Sequence, residues 1–330
     1  MPAEWHPHKR TWMAWPSAHP QWGDIDAVEQ DYADVANAIA QFEPVTMVVN
    51  PPDLPRARAR CGEGVDVLSI PIDDSWMRDS GPSFVRHEET GEVAGTAWRF
   101  NCWGGYTPVY QEDAQLAGRV LDHLDMHAYR SSLVLEGGAI HVDGEGTLVT
   151  TESVVLNANR NWGMNHKEAE IELCRATGAR KVIWLPGDLD AVTSDMTDGH
   201  VDGVMCFVKP GVVMVEKDLS ADPVIANLEA ENRRALELAT DANGRNLEII
   251  DLEVEHDSIG EGFELFCSSY INYYLPNGGL VMPCYGVRAD LDVRELLAGV
   301  FSDRKIVMVD INAIAPGGGG IHCITQQQPR

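Results

Sequence analysis

Long apolar runs, paired cysteines and clustered positive charge are all missing from this chain. No stretch of 18 consecutive apolar residues occurs, and the opening Met1-Pro2-Ala3-Glu4-Trp5 is not a basic region followed by an apolar one. A membrane span and a secretory leader are therefore not expected. The 7 cysteines are scattered without any CxxC spacing, and an odd number cannot complete a disulfide framework. Free thiols in a reducing cytoplasm are the simpler expectation. Lysine and arginine total 25 against 51 aspartates and glutamates, a formal charge of −26. Nucleic acid and anionic membranes are poor partners for such a surface, because phosphate contacts need grouped Lys and Arg. A small cation, in contrast, would be drawn inward, although a solvated acidic surface explains the same charge.

Low-complexity tracts, Ser/Gly linkers and compositional borders are also absent, so the 330 residues are read as one domain. Apolar residues spaced by three and four predict helices over Asp26–Phe42 and Ile225–Thr240. Short apolar runs bounded by Gly, Pro or Asp predict strands at Val45–Val49, Val67–Ile70, Leu133–Leu135, Gly146–Thr150, Val182–Leu185, Val212–Val215, Leu247–Asp251, Leu280–Pro283 and Ile306–Val309. Between them lie polar, glycine-flanked clusters at Asp73–Pro82, Leu135–Gly138, Asp198–Gly203, Ser268–Tyr274 and Pro316–Gln328. Their spacing of about 60 residues suggests repeated units that each deliver a loop to a shared centre.

Four of these clusters carry residue types suited to chemistry. Gly317 to Gly320 precede Ile321-His322-Cys323. Ordering each glycine costs roughly 0.5–1 kcal/mol against alanine, which makes sense where a ligand or backbone must approach closely. Cys323 just beyond them is a candidate nucleophile; a flexible tail is the alternative. In Asp198-Gly199-His200-Val201-Asp202-Gly203, strand alternation would put His200 and Asp202 on one face. His200 could move protons near neutral pH and Asp202 could bind a cation. His-x-Asp is also a metal pair, but no further spacing completes a metal site. Asp73 to Pro82 offers Asp79 and Trp76, a carboxylate and an aromatic face, the two contacts a flat guanidinium takes. Glu136 ends an apolar run before Gly137-Gly138, where a partly desolvated carboxylate can orient a histidine or grip a cation.

Together with Trp12-Met13-Ala14-Trp15-Pro16, Asn101-Cys102-Trp103-Gly104-Gly105, Asn157 to Asn161 and Tyr270 to Tyr274, these segments give a chain that resembles the agmatine deiminase family from end to end. This family is a branch of the guanidino-group-modifying, or pentein, superfamily. The resemblance implies an α/β fold, a five-bladed ββαβ propeller with pseudo-fivefold symmetry, and a catalytic unit spanning 1–330. It implies Cys323 as nucleophile, His200 as general acid/base and Glu136 as the holder of His200. Asp79 and Asp202 would bind the guanidinium and Trp76 would line the pocket. The implied partner is a small cationic guanidine, with no metal, no cofactor, no nucleic acid and no membrane; a homodimer is left open. The chain departs from the family pattern at Met196, where an acid serving the substrate's distal amine is usual. Asp198, two positions on, is then the acid assigned to substrate. Deimination of another small guanidine, amidino transfer, and cation binding without catalysis remain open from the residues alone.

Overall fold

The computed structural model describes residues 1–17, 22–193, 195–256, 259–260, 263 and 265–330. Among them the strands are, in chain order, β1 (His8–Ala14), β2 (Val45–Val49), β3 (Val65–Ser69), β4 (Ser83–Arg86), β5 (Val93–Ala97), β6 (Ala128–Arg130), β7 (Ile140–Val142), β8 (Thr147–Thr151), β9 (Lys181–Leu185), β10 (Met205–Lys209), β11 (Val212–Asp218), β12 (Glu248–Val254), β13 (Gly279–Cys284), β14 (Lys305–Asp310) and β15 (Thr325–Pro329). They make five separate sheets.

One pairing rule recurs. In β4-β5-β6, β7-β8-β9 and β10-β11-β12 the first two strands are antiparallel, and the third returns parallel to the second after a helix. The crossover helices are Asp113–His123, His166–Thr177 and Pro223–Leu238. β13 and β14 are parallel around helix Ala289–Val300, and Tyr274 bridges antiparallel to Val281 on the free side of β13. In the remaining sheet β1 runs parallel to β2 after helix Ile25–Ala40, β3 extends it, and β15 pairs antiparallel with β1. β15 thus completes the sheet begun by β1, and Cys323 lies just ahead of it.

Local sequence explains these elements. Asp24 caps helix Ile25–Ala40 by accepting from the N–H groups of Asp26 and Ala27, and Val28, Tyr32, Val35 and Ile39 form its buried stripe. Helix His166–Thr177 opens with a reciprocal Asn165/Glu168 capping box and stops at Gly178 in a left-handed conformation (φ 74°). β2 and β8 are buried along their whole length, as apolar strands with helices over them must be. No helix among the described residues is long and apolar enough to cross a membrane.

One expected strand does not form. Leu133–Leu135 is not a strand, although Leu133 and Leu135 are fully buried. The Asn161 amide takes the place of a neighbouring strand: it accepts from Val134 N–H at 3.0 Å and donates to Val134 C=O at 2.9 Å. The helix expected over Ile225–Thr240 forms as Pro223–Leu238, although its apolar residues do not share one buried face. Leu236 is buried, Leu238 is exposed, and Ile225 and Leu228 line a cavity.

Candidate active site

The cavity measures about 410 Å³ and takes wall residues from Trp76–Asp79, Trp103, the 187–204 segment, helix Pro223–Leu238, the 265–272 segment and Gly317–Cys323. Its described wall holds seven carboxylates (Asp79, Asp188, Asp195, Asp202, Glu216, Asp218, Glu229) and no lysine or arginine. A wall of that sign selects cations.

Cys323, half-buried, lies in the turn just before β15. Its Sγ is 3.3 Å from Asn272 Nδ2 and 4.0 Å from Asp202 Oδ2. Burial, then the charges of Asp202, Cys267 and Asp79, push the thiol well above its usual value near 9, against a backbone hydrogen bond at Gly320. These neighbours favour the protonated thiol.

His200 and Asp202 are not on a strand. Gly199 has φ +90° and Val201–Gly203 forms a 3₁₀ turn, so the two side chains converge through a tight loop rather than by alternation. Asp195 shapes that loop, accepting from Thr197 N–H at 3.0 Å and Gly199 N–H at 3.1 Å. The His200 ring meets Glu136 through Nε2 at 3.1 Å and Asp79 through Nδ1 at 3.8 Å. Burial works against its charge, but Asp79, the Glu136 hydrogen bond and Asp202 outweigh it and raise the imidazole to about 9. His200 is charged at neutral pH and has a proton to give. Glu136 is itself fully buried; against that burial, the Arg160 guanidinium, with Nε 3.0 Å from both of its oxygens, and His200 hold its carboxyl below the usual range.

Asp79 sits in the one-turn helix Met77–Ser80, which starts just after Trp76. It accepts from Gly138 N–H and from the Trp103 indole N–H, both at 2.9 Å. Burial first, then Asp202 and Glu136, raise its carboxyl, while His200 opposes them. Asp202 moves the other way. His322 and His200 overcome its burial and keep it ionised.

The glycines in the motifs are explained by what surrounds them. A methyl group on Gly138 would stand 2.7 Å from His200 Nδ1, 2.9 Å from Asp79 Oδ1 and 3.0 Å from Asp202 Oδ2, so this residue marks the point where three site side chains converge. On Gly317 it would strike Trp22, on Gly319 the Trp76 ring, and on Gly320 it would come within 2.6 Å of Asn272 Oδ1. Gly318 adopts φ +89°, open only to glycine without strain. The run is a packed wall, not a tail.

The fold brings together Cys323, His200, Glu136, Asp79, Asp202 and Trp76. Asp198 is placed apart from them. It is not on the cavity wall; its carboxylate accepts from Arg160 Nη1 at 2.5 Å and Asn159 Nδ2 at 2.9 Å, which places it behind Glu136. Met196 does line the cavity, facing Gly318. Reading the sequence missed Asn272, Arg160 and Trp103 as site residues. The signals were present: Asn272 and Arg160 are polar residues inside otherwise apolar or amide-rich motifs, and Trp103 lies in an Asn-Cys-Trp-Gly-Gly turn whose Cys102 and Trp103 both have positive φ.

The chain matches the family model described as Porphyromonas-type peptidyl-arginine deiminase over residues 1–329. It is 41% identical over 355 residues to the agmatine deiminase of Ectopseudomonas mendocina (strain ymp), and equally to that of Pseudomonas aeruginosa (strain LESB58). Each alignment covers 100% of this chain and 95% of the relative. The solved agmatine deiminase of Enterococcus faecalis superposes with a TM-score of 0.93 at 34% identity, over 100% of this chain and 95% of that one. A cysteine and a charged histidine lining one acid-walled cavity, a family pattern matched over residues 1–329 and full-length relatives above 40% identity lead to one statement: this chain belongs to the Porphyromonas-type peptidyl-arginine deiminase family.

Proposed function

We propose that this protein hydrolyses a guanidinium C–N bond of agmatine, releasing ammonia and N-carbamoylputrescine through a covalent intermediate on Cys323. The carrying observation is the convergence of the Cys323 thiol, the His200 imidazolium and the carboxylates of Asp79 and Asp202 on one cavity wall whose described lining has no lysine or arginine. The full-length relatives named agmatine deiminase support the substrate. So does a volume suited to a small molecule.

Asp79 and Asp202 bind the planar cation from two sides and set its central carbon over Sγ, which supplies the positioning advantage of an intramolecular reaction. Entry of a positive charge beside the thiol reverses the electrostatics that keep it protonated, so substrate binding helps expel the thiol proton to water. Sulfur attacks the guanidinium carbon and forms a tetrahedral adduct. His200 protonates one nitrogen, the C–N bond breaks and ammonia leaves. The remaining amidino group is bound to sulfur. His200, now neutral, takes a proton from water as that water attacks the carbon; the C–S bond breaks, the hydroxyl proton of the adduct passes to the departing sulfur, and the urea product leaves a thiol and a protonated His200. Glu136, fixed by Arg160 and through it by Asp198, keeps His200 aimed. Trp76 forms the aromatic wall. Asp188, Glu216, Asp218 and Glu229 on the same wall offer partners for a distal ammonium in place of the acid that Met196 displaces. The five sheets are proposed as five blades around a pseudo-fivefold axis, and residues 1–330 as one catalytic unit.

The test is ammonia release from agmatine, arginine, guanidinobutyrate and a peptidyl-arginine. Agmatine is expected to give the highest kcat/KM, without any added amine. Cys323→Ala should lower turnover by at least about four orders of magnitude with an unchanged circular dichroism spectrum. Ammonia release that survives this substitution would remove the nucleophile, and turnover only with an acceptor amine would make the protein an amidinotransferase.

A further inference from the structure

Beneath the reacting groups lies a second buried chain of charges, of which the reaction steps above use only Asp202. His322 Nδ1 is 2.8 Å from Asp202 Oδ2, and His322 Nε2 is 3.0 Å from Glu4 Oε2. All three residues are buried. A neutral imidazole can donate from only one nitrogen and would turn a lone pair toward the other carboxylate. Two carboxylates at hydrogen-bond distance therefore require the imidazolium. The backbone that carries the ring is held as well. His322 N–H donates to Asn272 Oδ1 at 2.9 Å, and Arg78 Nε donates to the His322 carbonyl at 3.2 Å. Glu4 is anchored in turn by Leu275 N–H at 2.9 Å.

We infer that His322 is a positioning residue for the deimination: clamped as an imidazolium between Glu4 and Asp202, it holds the Asp202 carboxylate beside Cys323 Sγ in the charged form that grips a cationic guanidine. This rests on the deiminase reading above and extends it to the residue next to the nucleophile. The groups facing the pair are Arg78 and His141 around His322, and His200, Asp79 and Cys323 around Asp202. Burial and the Arg78 charge oppose the protonated ring, but Glu4 and Asp202 prevail and raise it. His141 adds little charge of its own, because burial and its neighbour His322 push it down to about 4. Without His322, Asp202 would be a buried carboxylate close to a second one at Asp79, and both conditions favour its protonation.

Glu4, His141 and His322 also bring donor atoms within 4.8 Å of one another, a spacing seen in metal triads. The Arg78 guanidinium 3.8 Å from Glu4 Oε2 and the clamp on both His322 nitrogens leave neither the field nor the lone pair that a metal ion needs.

The experiment has two arms, both on the full chain. In the first, ¹⁵N ring shifts of the wild-type histidines are followed from pH 5 to 9. His322 is expected to stay doubly protonated through neutral pH, and in Glu4→Gln to lose its proton at lower pH. A neutral His322 ring at pH 7 overturns the inference whatever the activity shows. The second arm measures pH profiles of kcat/KM and KM for agmatine. His322→Gln should raise the agmatine KM about tenfold or more at neutral pH and move the acid limb of kcat/KM up by about one pH unit or more, with recovery toward wild type at alkaline pH. Glu4→Gln should shift it in the same direction by less. A purely structural role would lower activity equally at every pH, and superimposable profile shapes would overturn the inference. A wild-type protein that releases ammonia from no guanidine while His322 remains an imidazolium would instead refute only the deiminase reading.

Discussion

At Gly138 the site tolerates nothing larger than hydrogen, since His200 Nδ1, Asp79 Oδ1 and Asp202 Oδ2 all lie within 3.0 Å of where a methyl carbon would sit. None of the three can withdraw freely: Asp79 is tied to Trp103, Asp202 to His322 and His200 to Glu136. Gly138→Ala should therefore leave a folded protein whose kcat/KM falls by at least about 100-fold, because displacing reacting groups by an ångström has that effect. Steady-state ammonia release beside a urea melt checks this. Wild-type kcat/KM in the folded variant would mean that the three side chains relax at no cost, and that their convergence is not what orders the site. A glycine pair after a glutamate is easy to see in the sequence. Its reason, three charged side chains around one Cα, needs coordinates.

The outer helices can be weakened without touching the chemistry. Helix His166–Thr177 contributes nothing to the cavity wall, and its first turn depends on Asn165 accepting from Glu168 N–H at 3.1 Å. Asn165→Ala should cost about 1 kcal/mol of stability in denaturant titration and leave kcat/KM unchanged. A matching loss of activity would show that this helix couples to the site. At the same scale, sequence legibility follows burial pattern. β2 is read residue for residue, and β8, β9, β13 and β14 to within one residue at either end, because strands with an apolar or β-branched centre and a parallel neighbour announce themselves. β15 is hard to delimit from sequence, because Thr325-Gln326-Gln327-Gln328 has no apolar signal. Yet Gln328 is fully buried, with Oε1 accepting from the Trp12 indole N–H at 3.0 Å. The helix Asp113–His123 escaped as well, its stripe of Leu116, Ala117, Val120 and Leu121 being short and partly alanine. In the site, the residues that carry chemistry were legible from motif resemblance, and the residues that hold them were not. Asn272, Arg160 and Trp103 act through partners 24 to 51 positions away in the chain, and Asp198 was placed on the substrate when it in fact faces Arg160.

At the scale of the whole molecule, a charge of −26 acts in two opposite ways on salt dependence. The acids on the cavity wall and the surface field attract a dication such as agmatine over distances comparable to the screening length, about 30 Å at 0.01 M salt and about 3 Å at 1 M. Raising sodium chloride should therefore lower kcat/KM for agmatine several-fold, and kcat much less, since the bound guanidinium meets Asp79 and Asp202 inside a buried site that salt screens poorly. The same charge repels itself across the folded surface, so the melting temperature should rise over the same salt range. Opposite signs in one titration separate steering from stability. If the acidic surface serves solubility alone, the melting temperature still rises but kcat/KM stays flat, and the field has no part in delivering substrate.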